Sequence, residues 1–178
     1  MKFVSTAASL TLATAGVLVS MSADAAVVEH GLAANAPAHC QAFTPGAANS
    51  IRNRVVGSEN VGATMNVACT FEKEVAEGVG YVKAVHMYFT YNGATGASAT
   101  INCTMLNGYQ GQGGAVVMNK TATVTAGAGQ TELMWSAADT PDEGDTDLGF
   151  DLVGVNCTLP TGMVINDTYL YWDEGLAP

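Results

Sequence analysis

The chain has 178 residues, a net charge of −10 and a sequence pI of about 4.4. No lysine or arginine follows Lys120. Because binding to a phosphate backbone requires clustered basic side chains, this charge pattern excludes nucleic acid as a partner. The same repulsion disfavours anionic membrane surfaces, whereas an acidic surface suits solubility and calcium affinity.

Residues 1–25 have the composition of a secretory signal peptide. Lys2 gives a positive start, an apolar run follows over 3–19, and Ala23-Asp24-Ala25 has the small residues that signal peptidase accepts. The apolar run is interrupted by serine and threonine and lacks a basic stop-transfer flank, so a retained membrane anchor is the weaker alternative. We expect cleavage after Ala25 and a secreted chain, periplasmic or extracellular, with no membrane insertion.

The segment 26–39 is rich in alanine and shows no sustained hydrophobic period. This pattern predicts an extended N-terminal arm or linker. Residues 40–178 then form one domain, because a chain of this length builds a single core.

From residue 51 onward, apolar residues alternate with polar ones in short stretches separated by turn residues, which is typical of β-strands. Asn92-Gly93 predicts a hairpin between two of these strands, and Gly154 predicts a bulge inside another. The expected strands are, in chain order, 51–56, 64–71, 81–91, 97–106, 116–125, 130–136, 148–159 and 164–172.

About seven or eight short strands without a crossover helix predict an antiparallel β-sandwich, Ig-like or jelly-roll-like. Helices should be absent or limited to single turns. A closed barrel is the alternative architecture. Trp135 is expected in the core.

Four cysteines, Cys40, Cys69, Cys103 and Cys157, follow the leader without any C-x-x-C spacing. In an exported chain this number predicts two disulfides rather than a metal site. Three pairings are open by count alone. We favour Cys40 with Cys69 and Cys103 with Cys157, because each bond would tie neighbouring elements.

Several short stretches also carry a resemblance to known proteins. They are Cys40-Gln41, residues 60–69, Ile101-Asn102-Cys103-Thr104, Asn156-Cys157-Thr158-Leu159-Pro160 and Tyr171-Trp172-Asp173-Glu174. The chain resembles an uncharacterised family of exported bacterial disulfide-bonded β-sandwich proteins with no assigned activity. The resemblance implies a fold and a cysteine pairing, and it implies no activity.

No local motif for nucleophilic catalysis occurs in the chain, so we predict a protein that is not an enzyme. His30, His39 and His86 lie outside any such motif, and His86 is expected on the outer face of a strand. Zinc binding by His39 and Cys40 would require a free thiolate, and therefore an unformed disulfide.

The acidic loop 139–147 is the richest polar segment. Its carboxylates could supply calcium with oxygen ligands, although their spacing departs from the EF-hand pattern. A solvated acidic loop is the favoured interpretation, and calcium is the only cofactor that the sequence suggests. The candidate calcium ligands are Asp139, Asp142, Glu143, Asp145 and Asp147.

Exposed aromatic rings on a β-sandwich could stack on sugar rings, with neighbouring polar side chains as hydrogen-bond partners. A core takes many of the aromatic residues, so fold-supporting roles are the competing interpretation. The candidate ligand aromatics are Tyr88, Tyr109, Tyr169, Tyr171 and Trp172.

Three functional hypotheses follow. The first is an exported, non-enzymatic binding or interaction module at the cell envelope or outside the cell, with glycan as a candidate ligand. The second is self-association into an extracellular fibre, in which the arm 26–39 pairs with a sheet edge of a neighbouring copy. The third is a small hydrolase or an inhibitor that acts through the loop 107–114.

Overall fold

The computed structural model describes residues 28–43, 49–71, 80–107, 116–139 and 153–174. Short 3-10 turns occur at Ala36–Ala38 and Ala137–Asp139, and the described residues contain no α-helix. Eleven strands run through them: Val28–Asn35 (β1), Cys40–Ala42 (β2), Ile51–Arg54 (β3), Gly57–Asn60 (β4), Met65–Phe71 (β5), Gly80–Tyr91 (β6), Ser98–Asn107 (β7), Val116–Thr125 (β8), Thr131–Ser136 (β9), Val153–Leu159 (β10) and Met163–Glu174 (β11).

The strands form two antiparallel sheets. Sheet A has the order β3-β4-β11-β6-β9, and β1 also pairs with β11. Sheet B has the order β2-β5-β10-β7-β8. The predicted all-β sandwich is therefore confirmed. The strand number exceeds the expectation, because residues 28–60 contribute four strands where the sequence pattern indicated one.

The core lies between the inward faces of the two sheets. In β5 the residues alternate as expected, with Met65, Val67, Cys69 and Phe71 buried. Trp135 is fully buried, as predicted, and its indole Nε1 donates to the carbonyl of Met118 at 3.3 Å. This bond links the edge strand β9 of sheet A to the edge strand β8 of sheet B.

Both favoured disulfides are present. Cys40 bonds to Cys69 and Cys103 bonds to Cys157, in each case between residues directly opposite each other on adjacent strands of sheet B. All four cysteines are buried. Because the bonds close segments of 29 and 54 residues, they restrict the unfolded chain by about 3.5 and 4 kcal/mol on the chain-entropy model.

The hairpin prediction at Asn92-Gly93 is wrong. The strands on either side, β6 and β7, lie in different sheets, and each already has two neighbours in its own sheet. The turn instead carries the chain from one sheet to the other. Backbone hydrogen bonds hold it, among them those from Gly96 N to Ala126 O and from Ala126 N to Ala97 O. An Asn-Gly pair favours a tight turn without determining which sheet receives the next strand.

The predicted bulge at Gly154 is also wrong, since Gly154 pairs in regular register with Thr70 and Leu106. The irregularities lie in the pairing of β11 with β6. β11 has an extra residue between Ile165 and Thr168, whereas β6 has one between Val82 and Ala84. Residues 148–152 of the expected strand lie outside the described residues.

The arm differs most from its expectation. Residues 28–35 form β1, which pairs with β11 along eight positions and so belongs to the domain. Periodicity missed it because the outward positions of β1 include Gly31, which lies beneath the ring of Tyr169. For the fibre hypothesis, pairing of this segment with a neighbouring copy would require it first to leave β11.

The predicted signal peptide at 1–25 lies outside the described residues. In the part of the chain that the structure describes, no helix has the length and apolar character needed to cross a membrane.

Candidate ligand-binding face

The outward side of sheet A brings aromatic and acidic side chains together. Met87 and Phe89 of β6 point into the core with no exposed surface, so His86 and Tyr88 point outward. His86 lies opposite Tyr169 of β11, and Tyr88 lies opposite Glu132 of β9. We call His86, Tyr88, Glu132 and Tyr169 the tyrosine face.

Glu132 organises two of the rings. Its Oε1 accepts a hydrogen bond from His86 Nδ1 at 2.6 Å, and its carboxylate also bonds the hydroxyl of Tyr88. The rings of His86 and Tyr88 are consequently held almost parallel, with centroids 6.4 Å apart and planes 10° apart. Tyr169 meets His86 edge-on, at 5.7 Å and 72°.

Gly31 of β1 positions Tyr169. A Cβ atom at residue 31 would overlap the phenol of Tyr169, so the ring lies across the backbone of β1 only because this position has no side chain. The tyrosine face therefore depends on the pairing of β1 with β11.

The ionisation of the face follows from these contacts. The hydrogen bond from His86 holds the pKa of Glu132 below its ordinary value, against an opposing effect of burial, and Tyr88 lowers it further. Burial, with the hydrogen bond to Glu132, raises the pKa of Tyr88. At neutral pH the face therefore presents an ionised carboxylate acceptor beside a neutral phenol.

A recess adjoins the tyrosine face where β11 loses regular register. Tyr88 lies opposite the irregular segment between Ile165 and Thr168, and Thr90 follows it on the same side of β6. The recess has a volume of about 370 Å³. We call it the Asn166 recess, and it is lined by Val56, Thr90, Tyr91, Asn92, Gly127, Gly129 and Asn166.

The outward side of sheet B has a different chemistry. Threonine hydroxyls donate to asparagine side-chain oxygens across neighbouring strands, in the pairs Thr104–Asn119, Thr121–Asn102 and Thr158–Asn66. Phe43, Leu106 and Val117 line a groove of about 470 Å³ at one end of it. The hydroxyls of these three threonines are therefore bonded within the sheet, and among the described residues Phe43 is the only aromatic ring that lines the groove.

The predicted ligand aromatics are divided by this arrangement. Tyr88 and Tyr169 lie together on the tyrosine face, and Tyr171 occupies an outward position two residues beyond Tyr169 on β11. The prediction for Trp172 is wrong, because this residue is only 6% exposed and belongs to the core. Tyr109 lies outside the described residues.

The acidic loop is described only at its first residue. Asp139 Oδ1 forms an ion pair with Lys120 Nζ at 2.7 Å, and its Oδ2 accepts from the backbone N–H of Ser136. No cluster of three or more metal-ligating side chains occurs within the described segments. Asp142, Glu143, Asp145 and Asp147 lie outside them, so the calcium site stays a prediction.

The remaining histidines have structural contacts. His39 bonds the hydroxyl of Thr168, which donates in turn to the carbonyl of Ala34. Burial lowers the pKa of His39. His30 stacks on Trp172 with ring centroids 5.4 Å apart. Since Cys40 is in a disulfide, it provides no thiolate for zinc beside His39.

Sequence reasoning placed His86 on an outer strand face but missed its hydrogen bond with Glu132 and the position of Asn166 in the lining of the recess. Glu132 is distant along the chain and is brought close only by the pairing of β9 with β6. Asn166 is placed by an irregularity of β11 that no turn residue marks. No local signal identifies either residue.

Comparison with known proteins gives structural neighbours only. No family model and no curated protein matches the chain. The structure of TmCBM61 in complex with β-1,4-galactotriose is similar with a TM-score of 0.40 and 10% identity, over 79% of this chain and 86% of that one. A second neighbour is a structure of Bacillus endospore appendages, described as disulfide-linked pili, with a TM-score of 0.34 and 13% identity over 85% and 89% of the two chains.

A third neighbour is a carbohydrate-binding module, CBM28, described as specific for non-crystalline cellulose. Its TM-score is 0.35 at 9% identity, over 67% of this chain and 75% of that one. All three scores are low, so the similarity assigns neither a family nor a ligand to this chain. What the fold and its bonds define is a disulfide-bonded antiparallel β-sandwich with an open aromatic face.

Proposed function

We propose that the protein is an exported, non-enzymatic binding module that holds carbohydrate on the tyrosine face. The observation that carries the proposal is the grouping of Tyr88, Tyr169 and His86 around the carboxylate of Glu132 on an open sheet surface. Aromatic rings offer apolar faces to the C–H surface of a sugar, while the carboxylate and imidazole bond its hydroxyls.

The arrangement is organised before any ligand binds. Glu132 fixes His86 and Tyr88, and Gly31 lets Tyr169 lie across β1. Side chains that are already ordered lose little further conformational entropy on binding, so more of the contact energy contributes to affinity.

The ionisation of Glu132 favours binding over glycoside hydrolysis. A glycosidase needs a pair of carboxyl groups, of which one has a raised pKa so that it can protonate the leaving group. On the tyrosine face the hydrogen bonds from His86 and Tyr88 lower the pKa of Glu132 instead. An ionised Glu132 accepts hydrogen bonds from sugar hydroxyls and is a poor proton donor.

Export is supported by the two buried disulfides, which persist in oxidising compartments. A module outside the cytoplasm would meet glycans of the cell envelope or of the surroundings.

The test is binding of the exported chain to an array of neutral, N-acetylated and acidic glycans, with Tyr88→Ala and Tyr169→Ala as variants. Each variant should weaken the best binding about tenfold, corresponding to about 1.4 kcal/mol of lost stacking. Thr121→Val is the matched control, because this exposed residue lies on sheet B and its hydroxyl donates to Asn102.

The control should bind as the unmodified chain does. Absence of binding across the array, or binding that both tyrosine variants retain in full, would refute the proposal.

A further inference from the structure

Met134 is a large apolar side chain on the outward side of sheet A. Its neighbours in β9, Leu133 and Trp135, are buried in the core, so Met134 points outward, and it is 41% exposed. It lies directly opposite His86 of β6, on the side away from Tyr169 of β11. Met134 therefore adds accessible apolar surface at one end of the tyrosine face.

Tyr169 provides the apolar surface at the opposite end. Gly31 shares the outward side of β1, and the phenol of Tyr169 occupies the place that a Cβ atom of residue 31 would take. The side chain therefore extends sideways over β1 instead of standing away from the sheet. Beside it, Ala33 is exposed and carries only a methyl group. The β1 end of the face is consequently low and open to solvent.

These contacts are spread over four neighbouring strands, in the order β1, β11, β6 and β9. Adjacent strands lie about 4.8 Å apart, so the face is about 14 Å wide. Met134 and the backbone position of Tyr169 are separated by two of these spacings, about 10 Å, and the paired rings of His86 and Tyr88 lie between them. One sugar ring is too small to contact both ends.

The residues next to this row differ on its two sides. Toward one end of the strands, the outward residues are Asp167, Tyr88 and Glu132, which all carry hydrogen-bonding groups. Toward the other end, β6 and β9 present Ala84 and Ser136, which have short side chains. A ligand that lies across the strands therefore has apolar contacts at both of its ends and a polar edge along one side.

We propose that the tyrosine face binds an extended glycan chain of about three sugar rings, laid across the strands from β1 to β9. Tyr169 contacts the ring at the β1 end, the paired rings on β6 contact the middle one, and Met134 contacts the ring at the β9 end. This inference rests on the proposed function and adds the length and direction of the ligand. Since β1 and β9 are both edges of sheet A, a longer chain can continue past either end. The ligand class is an oligosaccharide or polysaccharide bound along its length.

The experiment is isothermal titration calorimetry of the exported chain with glycan fragments one to six rings long. The fragments come from the glycan that binds best on the array, and cello-, xylo- and N-acetylchito-oligosaccharides of the same lengths are measured in parallel. Met134→Ala removes the apolar contact at the β9 end. Thr90→Val tests the other direction, because Thr90 follows Tyr88 on the outward side of β6. Val117→Ala is the matched control, since Val117 is an apolar residue of sheet B that is 56% exposed.

The affinity should rise at least about tenfold from one ring to three, and less than about twofold from four rings to six, because further rings lie beyond the edges of sheet A. Met134→Ala should weaken the three-ring fragment about fivefold and the single ring less than about twofold, since the aromatic side chains still hold a single ring. Thr90→Val and Val117→Ala should bind every fragment as the unmodified chain does.

The outcomes separate the two proposals. Array binding that needs Tyr88 and Tyr169, but does not strengthen beyond one ring, would overturn the extended chain and keep the tyrosine face. A gain with length that survives Met134→Ala would overturn the direction across the strands, and its loss in Thr90→Val would show that the chain lies along β6.

Two results would overturn both proposals. One is a gain with length that is lost in Val117→Ala, which would place the ligand on sheet B. The other is absence of binding to the array and to every fragment.

Discussion

Replacement of Asn60 by alanine should destabilise the fold severely. Asn60 ends β4 with no exposed surface, and its side chain makes three bonds. Its Nδ2 donates to the carbonyls of Ala63 at 2.9 Å and Leu159 at 2.8 Å, and its Oδ1 accepts from the backbone of Gly62. The residue thereby ties the end of β4 in sheet A to the end of β10 in sheet B.

The magnitude follows from the groups left without partners. Alanine in place of Asn60 would abandon two carbonyls and one N–H, at about 1 kcal/mol for each lost bond. We expect a loss of about 3 kcal/mol in the free energy of unfolding, or roughly 6–12 °C in Tm for a chain of this size. That is a large part of the stability of a typical domain.

Urea unfolding followed by tryptophan fluorescence measures this loss. Asn66→Ala is the matched control, because Asn66 is exposed and its Oδ1 accepts one bond, from Thr158. The control should cost about 0.5 kcal/mol. Equal losses for the two variants, or a loss below about 1 kcal/mol for Asn60→Ala, would refute the reasoning.

Three further predictions concern other contacts. Joint replacement of Cys103 and Cys157 by alanine should lower the free energy of unfolding, measured in urea, by at least about 4 kcal/mol, because their bond closes a segment of 54 residues. A loss below about 2 kcal/mol would contradict this. Burial holds the pKa of His39 below 6.5, so the unfolded chain binds the proton more readily. The stability of the folded protein should fall as the pH decreases from about 6.5 through the lowered pKa. The stability difference between the unmodified chain and His39→Gln should therefore decrease between pH 7.5 and pH 5, and a constant difference would speak against burial as the cause. Gly57→Ala should lower the free energy of unfolding by about 2–3 kcal/mol and move the side-chain NH₂ resonances of Asn166 in NMR spectra, because a Cβ atom at residue 57 would overlap the backbone of Ile165 and Asn166. Unmoved resonances would show that Gly57 does not support the recess.

The residues that alternate strictly were predictable from the sequence. Met65, Val67, Cys69 and Phe71 lie inward as their period indicates, and the same reasoning placed Trp135 in the core. The disulfide pairing followed because neighbouring strands bring the two cysteines of each pair opposite each other. These features depend on local pattern and on the burial of apolar side chains.

Features that depend on contacts between distant strands were not predictable. The alanine-rich segment 28–35 becomes a strand because β11 offers it an edge, and Asn92-Gly93 joins two sheets because β6 and β7 find other neighbours. Within the candidate site, Tyr88 and Tyr169 were recognisable by residue type. Glu132 and Asn166 acquire their roles only through cross-strand register, which periodicity does not specify.

The measurement that tests the central claim most directly is a crystal structure of the exported chain with the glycan that binds best on the array. The account predicts a sugar ring against Tyr88 and Tyr169, with hydroxyls bonded to Glu132 and His86. A glycan seated instead in the groove of Phe43, Leu106 and Val117 on sheet B would contradict it.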